Sequence, residues 1–255
     1  MNKIKILAIA ALLIGFAAVS YAGTPFKNEN LRYVISYKWG LIHKDAGDAV
    51  LSLKRNGNIY DLKLTAKTKP WADKFYQVRD TLKGKLQVSD LKPLSYAKIT
   101  HEKNHYSTDV ITYSFKENIT TGTTRKYRYD DQGKETVSEQ KLSASGPVYD
   151  MLSVFYYLRK LDYSQLNKNK IYKATIFSGD QKETIKIKSL GIEKIKLKDK
   201  STREAYHIRF NFTSDGGKKS SDDIDTWIST DEDHIPLYLV GKLPVGEVRA
   251  YFLGS

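Results

Sequence analysis

The sequence predicts a mainly β protein: a curved antiparallel sheet forming a barrel or half-barrel around one buried central helix. Three observations carry the prediction. Apolar residues alternate at period two along most of the chain, turn residues interrupt that alternation at short intervals, and one segment alone switches to helical spacing. Alternation of this kind puts one face of each strand in a core and the other in water.

The elements follow in order. Leu31, Tyr33, Ile35, Tyr37 and Trp39 place five large side chains on one face of the first strand. Gly40 and Gly47 are expected to bracket a turn. Ala49, Leu51 and Leu53 then alternate up to Arg55-Asn56-Gly57-Asn58, where Asn-Gly signals a hairpin. Tyr60, Leu62, Leu64 and Ala66 form the return strand, and alternating segments follow at 78–88, 94–102, 108–116 and 123–129. Asp130-Asp131-Gln132-Gly133 supplies turn chemistry after them. From Val148 to Leu161, the residues Val148, Met151, Leu152, Phe155, Tyr156 and Leu158 recur at spacings of three and four, which predicts a helix over 148–161. Pro147 suits the start of that helix. Asp150 and Arg159 sit at its two ends with the signs its dipole favours. Alternation resumes through Tyr172–Ile176, Ile185–Ile187, Ile195–Leu197 and Tyr206–Phe212, and closes with strands at 224–230, 236–243 and 246–253.

About a dozen antiparallel strands must dispose of their edges, and curling into a barrel does so. A helix this apolar belongs inside the curve. A two-sheet sandwich with the helix capping one end is the alternative architecture. No linker is long or biased enough to divide the chain, so residues 23–255 are expected to form a single domain.

Residues 1–22 have the parts of a secretory signal peptide. Lys3 and Lys5 give the positive start, Ile6–Val19 the short apolar stretch, and Ser20-Tyr21-Ala22 ends it with small residues, Ser20 and Ala22, at the two positions a signal peptidase reads. The stretch falls short of the roughly 20 apolar residues of a spanning helix, so cleavage near Gly23 is expected rather than a membrane anchor. The chain has no cysteine, which excludes the lipid attachment of lipoproteins, disulfides, thiolate metal sites and a cysteine nucleophile. The expected location is the periplasm or the extracellular space. The formal charge of +13 becomes +11 once Lys3 and Lys5 are removed, which favours anionic partners. The partners expected are an envelope glycan, lipopolysaccharide or lipid. Nucleic acid is set aside because of export, and the protein is expected to be a monomer that does not span the membrane.

Four blocks stand out in order: Phe26–Tyr33 with Trp39-Gly40, Phe75–Asp80 with Leu91-Lys92-Pro93, the helical segment Tyr149–Arg159, and Trp227–Asp231 with Ile235-Pro236. Together they resemble a bacterial exported family known as domain of unknown function 3108. The resemblance spans nearly the whole chain after residue 22, in the right order. It implies a fold related to β-rich envelope proteins, among them lipoproteins of capsule-export operons and, more distantly, half-barrel carriers of lipids. It implies no catalytic residues, and this chain lacks the anchoring cysteine of the capsule group.

The side chains suited to carry chemistry have plainer roles to weigh against it. Of the five histidines, His43, His101, His105, His207 and His234, only His101 and His105 show metal-like spacing. On one strand they would stand about 13 Å apart, too far for a shared ion. Asp222, Asp223, Asp225, Asp231, Glu232 and Asp233 fail the spacing of a calcium loop and read as solvated turns. No nucleophile elbow, zinc-protease motif or phosphate loop is present, and Ser153 reads as packing inside the helix. No cofactor is expected.

Two features remain. Seven lysines between Lys182 and Lys200 alternate with isoleucine and leucine around Leu190-Gly191. A hairpin there would hold a lysine comb outward, with Lys186, Lys188, Lys196 and Lys198 as candidate anion contacts, although lysine also protects strand edges from pairing. The 18 tyrosines fill cores first of all, but Tyr33, Tyr37 and Trp39 are candidate aromatic ligand contacts on a concave face. The expected function is that of a non-catalytic envelope protein that binds a ligand, an acyl chain or a glycan, or handles a surface polymer. A structural or assembly partner with a packed interior is the alternative, and a glycan hydrolase comes third.

Overall fold

The computed structural model describes residues 26–255 apart from 103–104, 131, 167–169, 215–216, 219 and 244, so the expected signal peptide lies outside the described residues. The chain runs β1 (Glu29–Trp39), β2 (Ile42–Asn56), β3 (Ile59–Thr68), α1 (Pro70–Asp73), β4 (Arg79–Gln87), β5 (Pro93–Glu102), β6 (His105–Lys116), β7 (Ile119–Tyr129), β8 (Glu135–Ser145) and β9 (Val148–Tyr149). It continues through α2 (Ser153–Arg159), β10 (Ile171–Ser178), β11 (Gln181–Lys196), β12 (Thr202–Ser214), β13 (Ile224–Ser229), β14 (Pro236–Lys242) and β15 (Glu247–Gly254).

Among the described residues all fifteen strands join one sheet that curls into a nearly closed barrel, with β8 and β9 at its two edges. The first and last long strands, β1 and β15, pair side by side, and a meander runs from each towards an edge. Among the described residues every strand pairing is antiparallel except β9 with β10. The seam between the edges is held from inside. Phe177 lies over Gly122, where an added Cβ would stand 2.6 Å from the ring, and stacks on Tyr113 at 6.1 Å. Lys126 reaches Asp180 in the β10–β11 turn at 2.9 Å.

The predicted helix is present and buried, but shorter than 148–161. Val148 and Tyr149 instead form β9, pairing with Thr175 and Ile176. The Asp150 carboxylate accepts the N–H groups of Leu152 (2.9 Å) and Ser153 (2.8 Å), while Ser153 Oγ accepts the N–H of Asp150 (2.7 Å). This reciprocal cap fixes where the helix begins. Leu152 and Tyr156 are fully buried, and Met151 and Phe155 pack partly buried against the same core.

At its far end Arg159 is also buried. It donates to both oxygens of Glu29 (2.5 and 3.1 Å) and to the Asp233 carbonyl (3.0 and 3.1 Å), with its guanidinium 4.6 Å from the Phe26 ring. A buried charge is tolerated only with such complete pairing.

Two turn expectations are corrected. Gly47 is not in the turn after β1; it lies within β2 beside a bulge, where the Lys67 carbonyl would be 2.7 Å from any Cβ. Leu190-Gly191 makes no hairpin either. It is a bulge inside the continuous β11, which pairs with β12 on both sides of it. Beyond that bulge the hairpin tip reaches across the outer face of the sheet, where Lys198 bonds Asp45 at 2.6 Å and lies 5.1 Å from the Tyr251 ring. Val34 and Ser36 on the outer face of β1 are buried.

Candidate functional site

The inward residues of β1 change environment along the strand. Leu31 and Tyr33 belong to the core around α2, and Ile35 packs against its edge. Tyr37 and Trp39 continue on the same face but stand beyond the core, and with Ile35 they line a cavity of about 650 Å³. The other walls come from the start of β2, the end of β3, the segment around α1, and the β14–β15 loop with Val248. The barrel interior is therefore packed at one end by α2 and open at the other. Two other depressions contain no aromatic side chain in their linings.

The α1 segment forms one wall and is tied to the strands at several points. Pro70 opens the short helix, where its missing N–H costs nothing. Lys69 N–H donates to the Ala46 carbonyl (2.8 Å) and Trp71 Nε1 to the Asp45 carbonyl (2.8 Å). Behind the helix Arg79 grips Asp73 through two hydrogen bonds (2.7 and 3.1 Å), and the Thr68 hydroxyl donates to the same carboxylate. Arg79 and Thr68 together hold the Asp73 carboxyl below the usual carboxylate range. On the opposite wall the Tyr37 hydroxyl donates to the Val245 carbonyl (2.7 Å), which fixes the β14–β15 loop.

The lining is mainly apolar. Ile35, Ala66, Val78 and Val248 form its floor and sides, with Trp39, Trp71, Phe75 and Tyr76 around it. Trp71 and Phe75 meet edge to face at 6.3 Å, and Lys44 lies 4.6 Å from the Trp71 ring. Of the polar groups at hand, Asp48 is 3.7 Å from Lys69, and the Tyr76 hydroxyl bonds Glu102. Such a space accepts an apolar body and offers little to a polyhydroxylated one.

The sheet beyond β3 differs. Continuing across the same inner face, β4 to β7 present Asp80, Lys98, Asp109, Lys126 and Arg128. Arg128 pairs with Asp109 at 2.6 Å. Burial raises the Asp80 carboxyl above its usual range, opposed by the His101 N–H it accepts and reinforced by Glu102. The apolar cavity thus borders a charged wall.

The sequence candidates divide. Tyr37 and Trp39 line the cavity, whereas Tyr33 is a core residue packed on Phe252 at 5.7 Å. Lys186 and Lys188 alternate with the buried Ile185 and Ile187 and point outward, and Arg209 stands opposite Lys188. Lys196 is exposed near the hairpin tip, and Lys198 is committed to Asp45, so the four do not form a single comb. His101 and His105 lie on opposite strands of the β5–β6 hairpin, with the His101 ring tilted against Tyr106 at 4.1 Å. Asp225 binds His207 (2.7 Å) and Arg209 (2.9 Å). The α1 wall, with Trp71 and Phe75, was missed. Its signal was the Lys-Pro-Trp break in alternation after Thr68, which marks a short helix where hairpin turns otherwise prevail.

The family described as Protein of unknown function (DUF3108) matches residues 32–253. No curated protein matches the chain. Among solved structures, the fold is similar to the crystal structure of a beta-barrel-like protein of domain of unknown function DUF1849 from Brucella abortus. The TM-score is 0.61 at 10% identity, covering 90% of this chain and 97% of that one. At that identity the likeness concerns the fold alone.

Proposed function

The chain belongs to the DUF3108 family, and for this member we propose an exported, non-catalytic carrier that holds an acyl chain in the open end of the barrel. One observation carries the reading: a cavity of about 650 Å³, apolar in its lining, where the inward face of β1 runs out of core. Its size lies within the range of about 300–1,000 Å³ usual for small-ligand sites. Each methylene moved from water into such a space contributes about 0.8 kcal/mol. A glycan fits less well, because its hydroxyls need partners that this lining does not offer. Two carboxylates beside the cavity, Asp48 and Asp73, are engaged by Lys69 and Arg79, which supports binding rather than bond-breaking. Export rests on the signal-like residues 1–22.

The test is titration with dodecanoate and with a neutral disaccharide, followed by tryptophan fluorescence and calorimetry. The parent is expected to bind the fatty acid and not the sugar. Ala66→Phe and Val248→Trp, which place bulk inside the cavity, are expected to weaken binding at least about tenfold. Fatty-acid binding that is absent in the parent, or unchanged in both folded variants, refutes the carrier.

A further inference from the structure

The cavity mouth has a second property that ligand binding inside it does not require. Three separate segments end there: the β1–β2 turn, the stretch after α1, and the β14–β15 loop. Each holds large apolar side chains out in water. Leu41 is fully exposed and Phe75 is 73% exposed, and around them stand Trp39, Ile42, Leu243 and Val245, each at least 44% exposed. Isolated exposed apolar residues are ordinary; a convergence of three loop tips at one end of a molecule marks an interaction surface.

The charge of the tips themselves is mostly positive, although Lys38 and Lys69 are met by Glu247 and Asp48 on the adjoining strands. Residues 38–44, 67–76 and 242–246 hold six lysines and one carboxylate, Asp73, which Arg79 already binds. Lys44 spreads over Trp71, and Lys74 and Lys242 are exposed. Lysine is depleted in the centres of protein–protein interfaces. Bulky apolar and aromatic tips girdled by lysine suit the boundary of a bilayer, where the rings and aliphatic chains enter and the ammonium groups meet phosphates.

We propose that the mouth of the barrel is a membrane-docking surface that seats on a lipid bilayer rich in anionic headgroups, with the three loop tips in its interfacial layer. Docked in this way, the cavity opens directly onto the lipid. Lysine stems lie along the apolar tips while their charges stay at headgroup level. The attraction is both apolar and electrostatic, so it weakens but persists at physiological salt, where charges are screened beyond about 8 Å.

The chain has no cysteine, so one introduced thiol takes a polarity-sensitive dye at a single place. Leu41→Cys, Phe75→Cys and Val245→Cys report from the three tips, and Asn56→Cys reports from the β2–β3 turn at the opposite end of the barrel. Each labelled full chain is mixed with vesicles of phosphatidylcholine containing about one quarter phosphatidylglycerol, and with phosphatidylcholine alone. On the anionic vesicles the three tip probes are expected to brighten at least about twofold and to be quenched by lipids spin-labelled near the headgroup, while the Asn56→Cys probe stays unchanged. Lys38→Glu, Lys74→Glu and Lys242→Glu combined are expected to lower vesicle affinity at least about tenfold. Tip probes that remain in water on every vesicle overturn the proposal, whether the chain binds elsewhere or not at all, and turn attention to a protein partner. An Asn56→Cys probe that responds as strongly as the tips overturns it too. Dodecanoate titration without vesicles reads the cavity separately, so either result can fail without the other.

Discussion

The two ends of the barrel are built from the same strands and filled in opposite ways. At the closed end, β1 contributes Glu29, Leu31 and Tyr33 to an interior that α2 occupies, and a buried cation, Arg159, is enclosed by a carboxylate, a carbonyl and aromatic rings. At the open end, Tyr37 and Trp39 of the same strand face a cavity, and the nearby loops leave Leu41 and Phe75 in water. One end spends its apolar side chains on the protein's own core. The other leaves them for something else. Stability and ligand binding are therefore expected to separate along the barrel axis, since core substitutions act by opening cavities or stranding charges while exposed positions barely affect folding.

The largest effect expected at the closed end comes from removing the buried cation. Arg159→Met leaves Glu29, itself mostly buried, without its partner, and is expected to cost about 3–5 kcal/mol in urea unfolding. Coupling with Glu29→Gln tests the cause: the double variant is expected to recover part of the loss. Equal losses in the single and double variants would show that the ion pair is not what holds this end together.

Proton linkage at the same end is the next effect in size. Asp150 is fully buried, and burial raises its carboxyl to about 6 from the ordinary 3.8, against hydrogen bonds from Ser153, Leu152 and Tyr113. Between those values the folded protein binds the proton and the unfolded chain does not. This contribution to stability is thus complete below about pH 4 and is lost as pH rises through 6. The parent is expected to lose about 1–3 kcal/mol between pH 4 and pH 8 from this group. Asp150→Asn keeps an oxygen for the helix N–H groups and is expected to flatten that slope in urea melts. A slope unchanged in the variant assigns the pH dependence to other groups.

The smallest effect on stability belongs to the open end. Phe75→Ser at an exposed tip is expected to change unfolding free energy by less than about 0.5 kcal/mol. A loss above about 2 kcal/mol would make the open end part of the core and erase the contrast between the two ends.

The alternation of Leu31, Tyr33, Ile35, Tyr37 and Trp39 was legible as one inward face, and that face is what the structure shows. The Asn-Gly hairpin between β2 and β3 and the buried central helix were legible as well. The bounds of α2 were not, because Asp150 and Ser153 close a cap on each other that spacing alone does not reveal. The bulge at Gly191 was mistaken for a turn, since glycine serves both and only the pairing of β11 with β12 on either side distinguishes them.

By itself, the sequence determined the chemistry of each face: which side of every strand is apolar, where turns interrupt, that no thiol is present, and that the chain is strongly basic. Period-two patterning specifies inside against outside because successive side chains point to opposite faces of a strand. It carries no information on depth along the barrel axis. Whether an inward tyrosine joins a core or lines a cavity depends on what packs against it, and those neighbours come from distant parts of the chain. For Tyr33 the neighbour is Phe252, and for Tyr37 it is the loop at Val245. The tertiary structure alone decided that α2 fills one end, that Trp71 and Phe75 wall the other, and that Lys198 is bound to Asp45 rather than free on a comb.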